Sequence, residues 1–560
     1  MTGRKPGSLW REALFAGAAA ASLAAMLLWL GPPGNDLAAH VYQRTLFLEH
    51  GFVLWNNFWY AGRYSFVTYS VLYYPLSALL GIKVLALASI AAAALAFAVV
   101  VGREWGPAAR WSSRTFAVVW AGTVLSAAFP FALGTALALL ALWAIQEGRR
   151  GRFAVLVLMT LLASPLAFVL LAVVLAGFGL ARRPPRRTLG LPAAVVAATA
   201  LLELVIVRLF PDGGRFPFHA WALVPAAAFC VLGVLTARRS VRARPLAAIF
   251  AVYLVAVVAS FAVPTALGAN IERLRYAALP LGVLAACLVR WRPLALVAPL
   301  IAVAALWNVP PLVANYRHAA SDPAGAVAYW QPAIRYLRSH LTPSYRVEAV
   351  DTVEHWPAVF LPDAGIPIVR GWYRQNDFPT NEILYGRYGA EVYRRWLRSL
   401  GVRHVVLSRA PPDYSSRAEA LLLRSGRSGL RLVLRTPALA VYEVPDAAPL
   451  ASEGAEVRAL LPSRVTLQGP RDRLVPHRHS LLALLADISG LRRADPRRDD
   501  PPVCVPWRSR RPRFQGQRPP RARDADRPRA DALLRRLVSV SVPHPSRPTR
   551  ALPSTRGRTA

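Results

Sequence analysis

Apolar runs of bilayer length, separated by short arginine clusters, are the feature that most constrains this chain. The run from Leu14 to Gly31 is followed by comparable runs up to about residue 310. A helix needs roughly 20 apolar residues to cross the hydrocarbon core of a membrane. The chain is 55% hydrophobic and yet has a formal net charge of +37, a combination that soluble domains do not show. We therefore predict a polytopic α-helical membrane protein.

The apolar runs also predict a topology. We expect crossings near residues 13–30, 75–101, 115–129, 131–146, 188–209, 217–236, 246–265, 276–290 and 293–309. Residues 153–181 are interrupted at Ser164 and Pro165 and have arginines on both sides, which favours a hairpin of two short helices. The basic loops then all lie inside, as the positive-inside rule requires. This predicts about 11 crossings, with residues 1–12 in the cytoplasm and the first outer loop at 31–74.

The chain changes character after the apolar region 13–310. Residues 315–450 alternate short strand patterns with helical patterns, which predicts an extracytoplasmic α/β domain. Residues 451–469 look like one strand of a truncated β-rich unit. Residues 470–560 hold 22 arginines and 8 acidic residues with almost no periodic apolar pattern. Such a tail is either disordered or an out-of-frame translation of a GC-rich gene.

Composition and missing motifs exclude several classes of function. The basic residues lie in short loops and in the tail, a pattern of membrane topology and not of nucleic-acid binding. The three cysteines, Cys230, Cys287 and Cys504, have no metal-binding or disulfide spacing. The sequence contains no P-loop, no GxSxG, no HExxH and no Rossmann-type glycine pattern.

The first outer loop contains an unusual group of polar residues directly after the first crossing. A helix capped by Asn35 would place Asp36, His40, Gln43 and Arg44 on one face. Ionisable groups near a membrane are functional by default. The alternative is an interfacial helix whose charges simply face water.

An aromatic segment follows that helix. Nine of the twenty residues from Trp55 to Tyr74 are aromatic. Ring faces can bury the apolar side of a sugar or an isoprenoid chain. The residues that could form this surface are Trp55, Asn56, Trp59, Tyr60 and Arg63. The alternative is an aromatic belt at the membrane interface.

These motifs, "NDLAAHVYQR" and "LWNNFWYAGRY" followed by "YYPLSALLG", resemble the polytopic GT-C type membrane glycosyltransferases over roughly residues 10–310. The sequence looks most similar to bacterial integral membrane proteins labelled 6-pyruvoyl-tetrahydropterin synthase-related. The resemblance implies a lipid-linked sugar phosphate donor and makes Asp36 the catalytic base or a metal ligand. Because the chain has "ND" where better-defined members have an acid pair, a divalent metal is possible but not supported, and no cofactor is expected.

The implied reaction gives roles to further residues. Asp36 would accept the proton of the acceptor hydroxyl, His40 would orient it or contact the leaving phosphate, and Arg44 lies on the same helix face. Arg273 and Arg275, at the start of a crossing, suit a phosphate, although each could equally anchor a helix to lipid head groups.

The outer domain contributes a second polar and aromatic segment. His355, Trp372 and Arg374 could line a groove for an acceptor glycan, unless they are ordinary packing residues.

We therefore expect a glycosyltransferase of the bacterial cytoplasmic membrane that moves a sugar from a polyprenyl-phosphate donor to a glycan or lipid acceptor of the cell envelope. Its other partner is the membrane lipid. The alternatives are a secondary transporter, or a non-catalytic envelope assembly protein.

Overall fold

The computed structural model describes residues 6–65, 69–183, 185–210, 214–451 and 455–468. All of these residues belong to one compact unit. The predicted tail 470–560 lies outside the described residues, so its two interpretations remain predictions.

The N-terminal two thirds of the described chain is almost entirely helical. Its helices are α1 Pro6–Leu30, α2 Leu37–His50, α3 Tyr73–Leu80, α4 Ile82–Trp105, α5 Arg110–Ala121, α6 Phe129–Gln146, α7 Arg150–Ala163, α8 Pro165–Arg182, α9 Arg186–Leu209, α10 Ala220–Ala237, α11 Arg244–Ala262, α12 Arg275–Leu288 and α13 Leu294–Ser321. Two short strands, β1 Trp55–Asn56 and β2 Tyr64–Ser65, pair antiparallel within the first loop.

By length and composition, eight helices among the described residues can cross a membrane. The protein is thus a multi-pass membrane protein, as predicted. One of these segments, Ile82–Ser126, is a run of 45 residues that overlaps two predicted crossings, 75–101 and 115–129. Helices α5, α7 and α12 have 12, 14 and 14 residues, and 14 residues span only about 21 Å of a 30 Å hydrocarbon core. The predicted count of 11 crossings therefore stays a prediction.

The predicted break at Pro165 is present, and its local chemistry is clear. Helix α7 ends at Ala163 and α8 begins at Pro165, with Ser164 extended between them. A residue before proline avoids the helical conformation, whereas proline suits the first position of a helix. The Ser164 hydroxyl accepts a hydrogen bond from the Ala167 N–H at 3.3 Å and so caps α8.

Small residues bring the helices close together. Ala13, Ala16, Ala20 and Ala24 form a fully buried stripe on α1, which packs on α4. Gly177 allows α8 to approach α11 closely, because a Cβ at this position would lie only 2.7 Å from the Ile249 Cα of α11. Between membrane helices, where lipid is as apolar as leucine, close packing of small residues is a main source of stability.

The C-terminal sheet-containing domain, called the outer domain below after its predicted location, has the predicted mixture of strands and helices. Its helices are α14 Val327–His340, α15 Pro357–Asp363, α16 Ala390–Ser399 and α17 Arg417–Arg424, and its sheet strands are β3 Arg346–Ala349, β4 Val402–Ser408, β5 Arg431–Arg435 and β6 Leu439–Glu443. The strand order is β3-β4-β6-β5. Strands β3 and β4 are parallel, and the other pairs are antiparallel.

The segment after the sheet differs from the sequence prediction. Instead of one strand without a partner, it forms a hairpin of β7 Glu456–Leu461 and β8 Arg464–Gln468. The partner strand lies within the same segment, because Pro462 and Ser463 make the turn that separates the two strands. The hairpin packs on Phe58 of the first outer loop, and Asn57 donates hydrogen bonds to the Leu461 and Pro462 carbonyls at 2.9 and 2.8 Å.

Candidate active site

A cavity of about 830 Å³ lies between the membrane helices and the outer domain. Its apolar wall comes from α8 and α9, and includes Phe168, Val169 and Val207. Its polar wall comes from the first outer loop, from the turn before α12 and from the outer domain. An amphiphilic cavity of this size can hold the head of a lipid and a sugar-sized group.

Asp36 and Arg273 form an ion pair on the polar wall. Arg273 Nη2 donates a hydrogen bond to Asp36 Oδ2 at 3.1 Å, and the side chains are 17% and 12% exposed. The Asp36 backbone N–H donates to the Ser126 carbonyl at 3.0 Å, which fixes the start of α2 against the end of the Gly122–Ser126 turn. Asp36, and not Asn35 as predicted, occupies the cap position of this helix.

Burial governs the electrostatics of this pair. Burial raises the pKa of Asp36 above its ordinary value, although the nearby charges of Arg273, His355 and Arg275 oppose the shift. Tyr69 lines the cavity beside them, and burial raises its pKa to about 12. A carboxylate with a raised pKa is a better proton acceptor near neutral pH than an ordinary one.

The outer-domain wall is built around His355. His355 Nδ1 lies 2.6 Å from Asp351 Oδ2 and 2.8 Å from Arg374 Nη2. The Asp351 carboxylate can only accept and the Arg374 guanidinium can only donate, so Nδ1 makes a hydrogen bond with one of the two at a time, according to its tautomer. Burial lowers the pKa of His355, although Asp413, Glu354 and Asp36 raise it. Its backbone is strained, with φ at +59°, which is uncommon outside glycine and concentrated at functional sites.

A buried network holds Arg374 in place. Arg374 contacts Asp351, Asp377 and Asp413. Asp377 also binds Arg370 in a bidentate manner, at 3.2 and 2.7 Å. Burial raises the pKa of Asp377, but the two guanidinium groups outweigh it and lower the value to about 2. These charges are therefore permanent at working pH.

Five of the predicted site residues meet at the cavity, although the sequence separates them widely. They are Asp36, Arg273, His355, Trp372 and Arg374. The structure thus joins the first outer loop, the turn before α12 and the outer domain at one place.

The other residues predicted on α2 do not line this cavity. His40 is buried, and its Nε2 lies 2.9 Å from the Ala127 carbonyl while its Nδ1 lies 3.4 Å from the Tyr74 hydroxyl. Burial lowers the pKa of His40 to about 3, so the ring is neutral at working pH. Arg44 Nε donates to the Ser77 carbonyl at 2.8 Å. Both contacts hold α2 against its neighbours, and this packing keeps the two side chains out of the cavity.

The aromatic segment forms a core between the first loop and the outer domain. Trp59 Nε1 donates to the Ala358 carbonyl at 2.9 Å, and the Tyr60 hydroxyl donates to the Tyr373 carbonyl at 2.5 Å. Asn56 Nδ2 donates to the Tyr42 hydroxyl at 3.0 Å. The remaining predicted members, Trp55 and Arg63, are half-buried. The centre of the Trp55 ring lies 6.0 Å from the centre of the Phe210 ring, and Arg63 follows the turn Tyr60–Gly62.

Arg275 also lies outside the cavity lining. Its guanidinium lies 5.2 Å from the centre of the Tyr276 ring, in a cation–π contact.

Several residues in or beside the cavity lining were not among the predicted site residues. Asp351 and Asp413 follow the carboxyl ends of the parallel strands β3 and β4, and the Asp413 N–H donates to the Asp351 carbonyl at 2.9 Å. Ligands of open α/β sheets bind at the carboxyl ends of the parallel strands. The position of these two aspartates after β3 and β4 was therefore the feature that could have indicated them. Glu203 of α9 and Asn270 line the same cavity.

Within the parts of the chain that the structure describes, no group of three or more His, Cys, Asp or Glu side chains is placed to hold a metal ion. The acid and base candidates of the cavity are paired with arginine and histidine instead.

No known family and no curated protein matches this sequence. Several solved structures have a similar backbone. They include the arabinofuranosyltransferase AftD from Mycobacteria, at 18% identity and a TM-score of 0.44, where the match covers 78% of this chain and 42% of that one. ArnT from Cupriavidus metallidurans bound to undecaprenyl phosphate matches at 15% identity and a TM-score of 0.36, over 78% of this chain and 98% of that one.

The Archaeoglobus fulgidus oligosaccharyltransferase matches at 14% identity and a TM-score of 0.43, over 71% of this chain and 69% of that one. The chain thus spans less than half the length of AftD. These matches concern the backbone fold alone, at low sequence identity. The narrower resemblance to the pterin synthase-related proteins stays a prediction.

Proposed function

We propose that this protein is a membrane glycosyltransferase that moves a sugar from a polyprenyl-phosphate donor to an acceptor of the cell envelope. The observation that carries the proposal is the Asp36–Arg273 ion pair on the wall of an amphiphilic cavity. A proton acceptor and a phosphate-binding cation lie side by side there, next to an apolar surface suited to an isoprenoid chain.

The geometry supports a division of roles. Arg273 binds the phosphate of the donor, since a guanidinium matches two phosphate oxygens. The acceptor hydroxyl attacks the anomeric carbon and gives its proton to Asp36. The bond between that carbon and the phosphate oxygen breaks, and its electron pair leaves with the lipid phosphate. His355, Trp372 and Arg374, on the facing wall, bind the acceptor.

The location follows from the same roles. We place the cavity and the outer domain outside the cytoplasmic membrane and the N-terminus inside, because the arginine-rich loops then face the cytoplasm.

Asp36→Asn tests the proposal. The asparagine keeps the shape of the side chain but cannot accept the proton, so we expect sugar transfer to fall by roughly 10²-fold or more. The full-length protein in lipid nanodiscs is mixed with short-chain polyprenyl-phosphate sugars and envelope extracts, and released polyprenyl phosphate is measured.

The matched control is Glu49→Gln on the same helix, at an exposed carboxylate. It should leave the rate unchanged. Equal rates in wild type and Asp36→Asn would refute the role of Asp36. A transporter or an assembly protein would release no polyprenyl phosphate from any donor.

A further inference from the structure

We propose that Arg273 is a phosphate-sensitive latch on Asp36: a donor phosphate draws the guanidinium away from the carboxylate, and donor binding thereby increases the proton affinity of Asp36. This inference rests on the proposed function and adds a form of regulation at the same site. The fraction of Asp36 carboxylates that stays ionised is then a stronger proton acceptor when the donor is in place.

The first observation is the geometry of the ion pair. A single hydrogen bond, from Nη2 to Oδ2 at 3.1 Å, joins Arg273 to Asp36. A guanidinium carries five N–H donors in a planar fork, and its strongest contacts with carboxylate or phosphate are bidentate. The pair in this structure is therefore weaker than the contact that the same guanidinium can make with two phosphate oxygens.

The second observation is where the pair lies. Both side chains line the cavity, and Phe131 supports the guanidinium from behind, with its ring centre 5.9 Å away. A phosphate that enters between the apolar helices α8 and α9 and the outer domain reaches the same guanidinium. A neutral sugar or an apolar chain offers no charge to compete for it.

The third observation is the set of charges around Asp36. The groups that interact electrostatically with Asp36 include Arg273 before α12, Arg275 at the first position of α12, Tyr69 of the first loop, and Glu354 and His355 of the outer domain. Of the cations in this set, Arg273 is the one with a hydrogen bond to Asp36. When its charge is neutralised by phosphate, burial acts on the carboxylate with less opposition.

The physical consequence is proton linkage. A group whose pKa differs between the free and bound states takes up or releases protons on binding. Loss of the Arg273 partner and approach of a phosphate anion both favour the protonated carboxyl. Binding should therefore draw a fraction of one proton from solution per phosphate bound.

Isothermal titration calorimetry of the full-length protein, in buffers of different ionisation enthalpy, measures this uptake. The probe is a short polyprenyl methyl phosphodiester, because a phosphodiester has no titration of its own near neutral pH. We expect fractional proton uptake in the wild type. Asp36→Asn should bind the probe without uptake, and Arg273→Gln should bind at least 10-fold more weakly.

Two controls separate the latch from its neighbours. Glu49→Gln, at an exposed carboxylate on the same helix as Asp36, should retain both affinity and uptake. Arg275→Gln, at an arginine outside the cavity lining, should retain both affinity and uptake.

The outcomes are distinct from those that test the function. Wild-type binding without proton uptake, or uptake that persists in Asp36→Asn, refutes the latch, and so does failure to bind the phosphodiester. A protein that shows the expected linkage but transfers no sugar supports the latch and refutes the proposed reaction.

Discussion

At the scale of single residues, the carboxylates of this protein differ chiefly in their partners. Asp36 has one hydrogen bond from one guanidinium, and burial raises its pKa. Asp377 lies between Arg370 and Arg374 and has a pKa of about 2. The same chemical group is thus a candidate proton acceptor at one position and a permanent anion at another. Asp36 accepts one hydrogen bond from a guanidinium and Asp377 accepts three, and these direct contacts decide whether attraction outweighs burial.

Asp377→Asn should strongly destabilise the outer domain, because it leaves two buried guanidinium groups without their shared anion. Breaking a buried ion pair typically costs about 3–5 kcal/mol, so thermal unfolding should shift down by many degrees. Glu391→Gln is the control, since Glu391 pairs with Arg394 at the surface and such pairs contribute at most about 1 kcal/mol. A variant as stable as the wild type would contradict the structural role of this network.

The pH dependence follows with a defined sign. Because the pKa of Asp377 is lowered from 3.8 to about 2, its contribution to stability is present above pH 3.8 and is lost as the pH falls toward 2. In Asp377→Asn, unfolding should depend less on pH across this window.

At the scale of the elements, close helix contacts position the cavity. Helix α8 supplies part of the apolar wall, and its start is set by the Ser164–Pro165 break. Its other side is held by α11 through the close approach at Gly177. A displacement of α8 would therefore change both the packing of the bundle and the shape of the cavity.

Gly177→Leu tests this coupling. The added side chain meets the Ile249 backbone, and overpacking typically costs about 1–3 kcal/mol. We expect a lower unfolding temperature in detergent and slower sugar transfer. Gly190→Leu is the matched control, because no heavy atom lies within 4 Å of a Cβ at that position. Equal losses in the two variants would show that a bulky side chain, and not its place, causes the effect.

At the scale of the whole molecule, the first outer loop joins the membrane helices to the outer domain. The Phe58 carbonyl accepts a hydrogen bond from the Ile368 N–H at 3.0 Å, and Trp59 is fully buried against α15. The aromatic residues of this loop therefore stabilise the arrangement that brings Asp36 and His355 to one cavity.

Trp59→Ala should loosen the outer domain from the membrane region. Removing a buried tryptophan typically costs about 3–5 kcal/mol, so limited proteolysis should cut near residues 315–330 faster than in the wild type. Trp55→Ala, at a half-buried ring of the same loop, should change the rate much less. Unchanged cleavage in Trp59→Ala would mean that this loop does not hold the two regions together.

Local patterns in the sequence determined much of the fold. Bilayer-length apolar runs predicted a multi-pass membrane protein, Ser164–Pro165 predicted the helix break, and β-branched segments predicted the strands of the outer sheet. Each of these depends on neighbours within a few residues, so it can be read without the tertiary structure. Helix length was harder, because the turns that shorten α5, α7 and α12 depend on their packing.

The site itself depended on contacts between distant segments. The sequence indicated Asp36 and Arg273 separately, but they are 237 residues apart, and only the folded chain pairs them. It also grouped His40 with Asp36, since one turn of helix separates them; packing buries His40 against Ala127 and leaves Asp36 at the cavity. Periodicity tells which residues share a face of a helix, whereas the tertiary structure decides what that face meets.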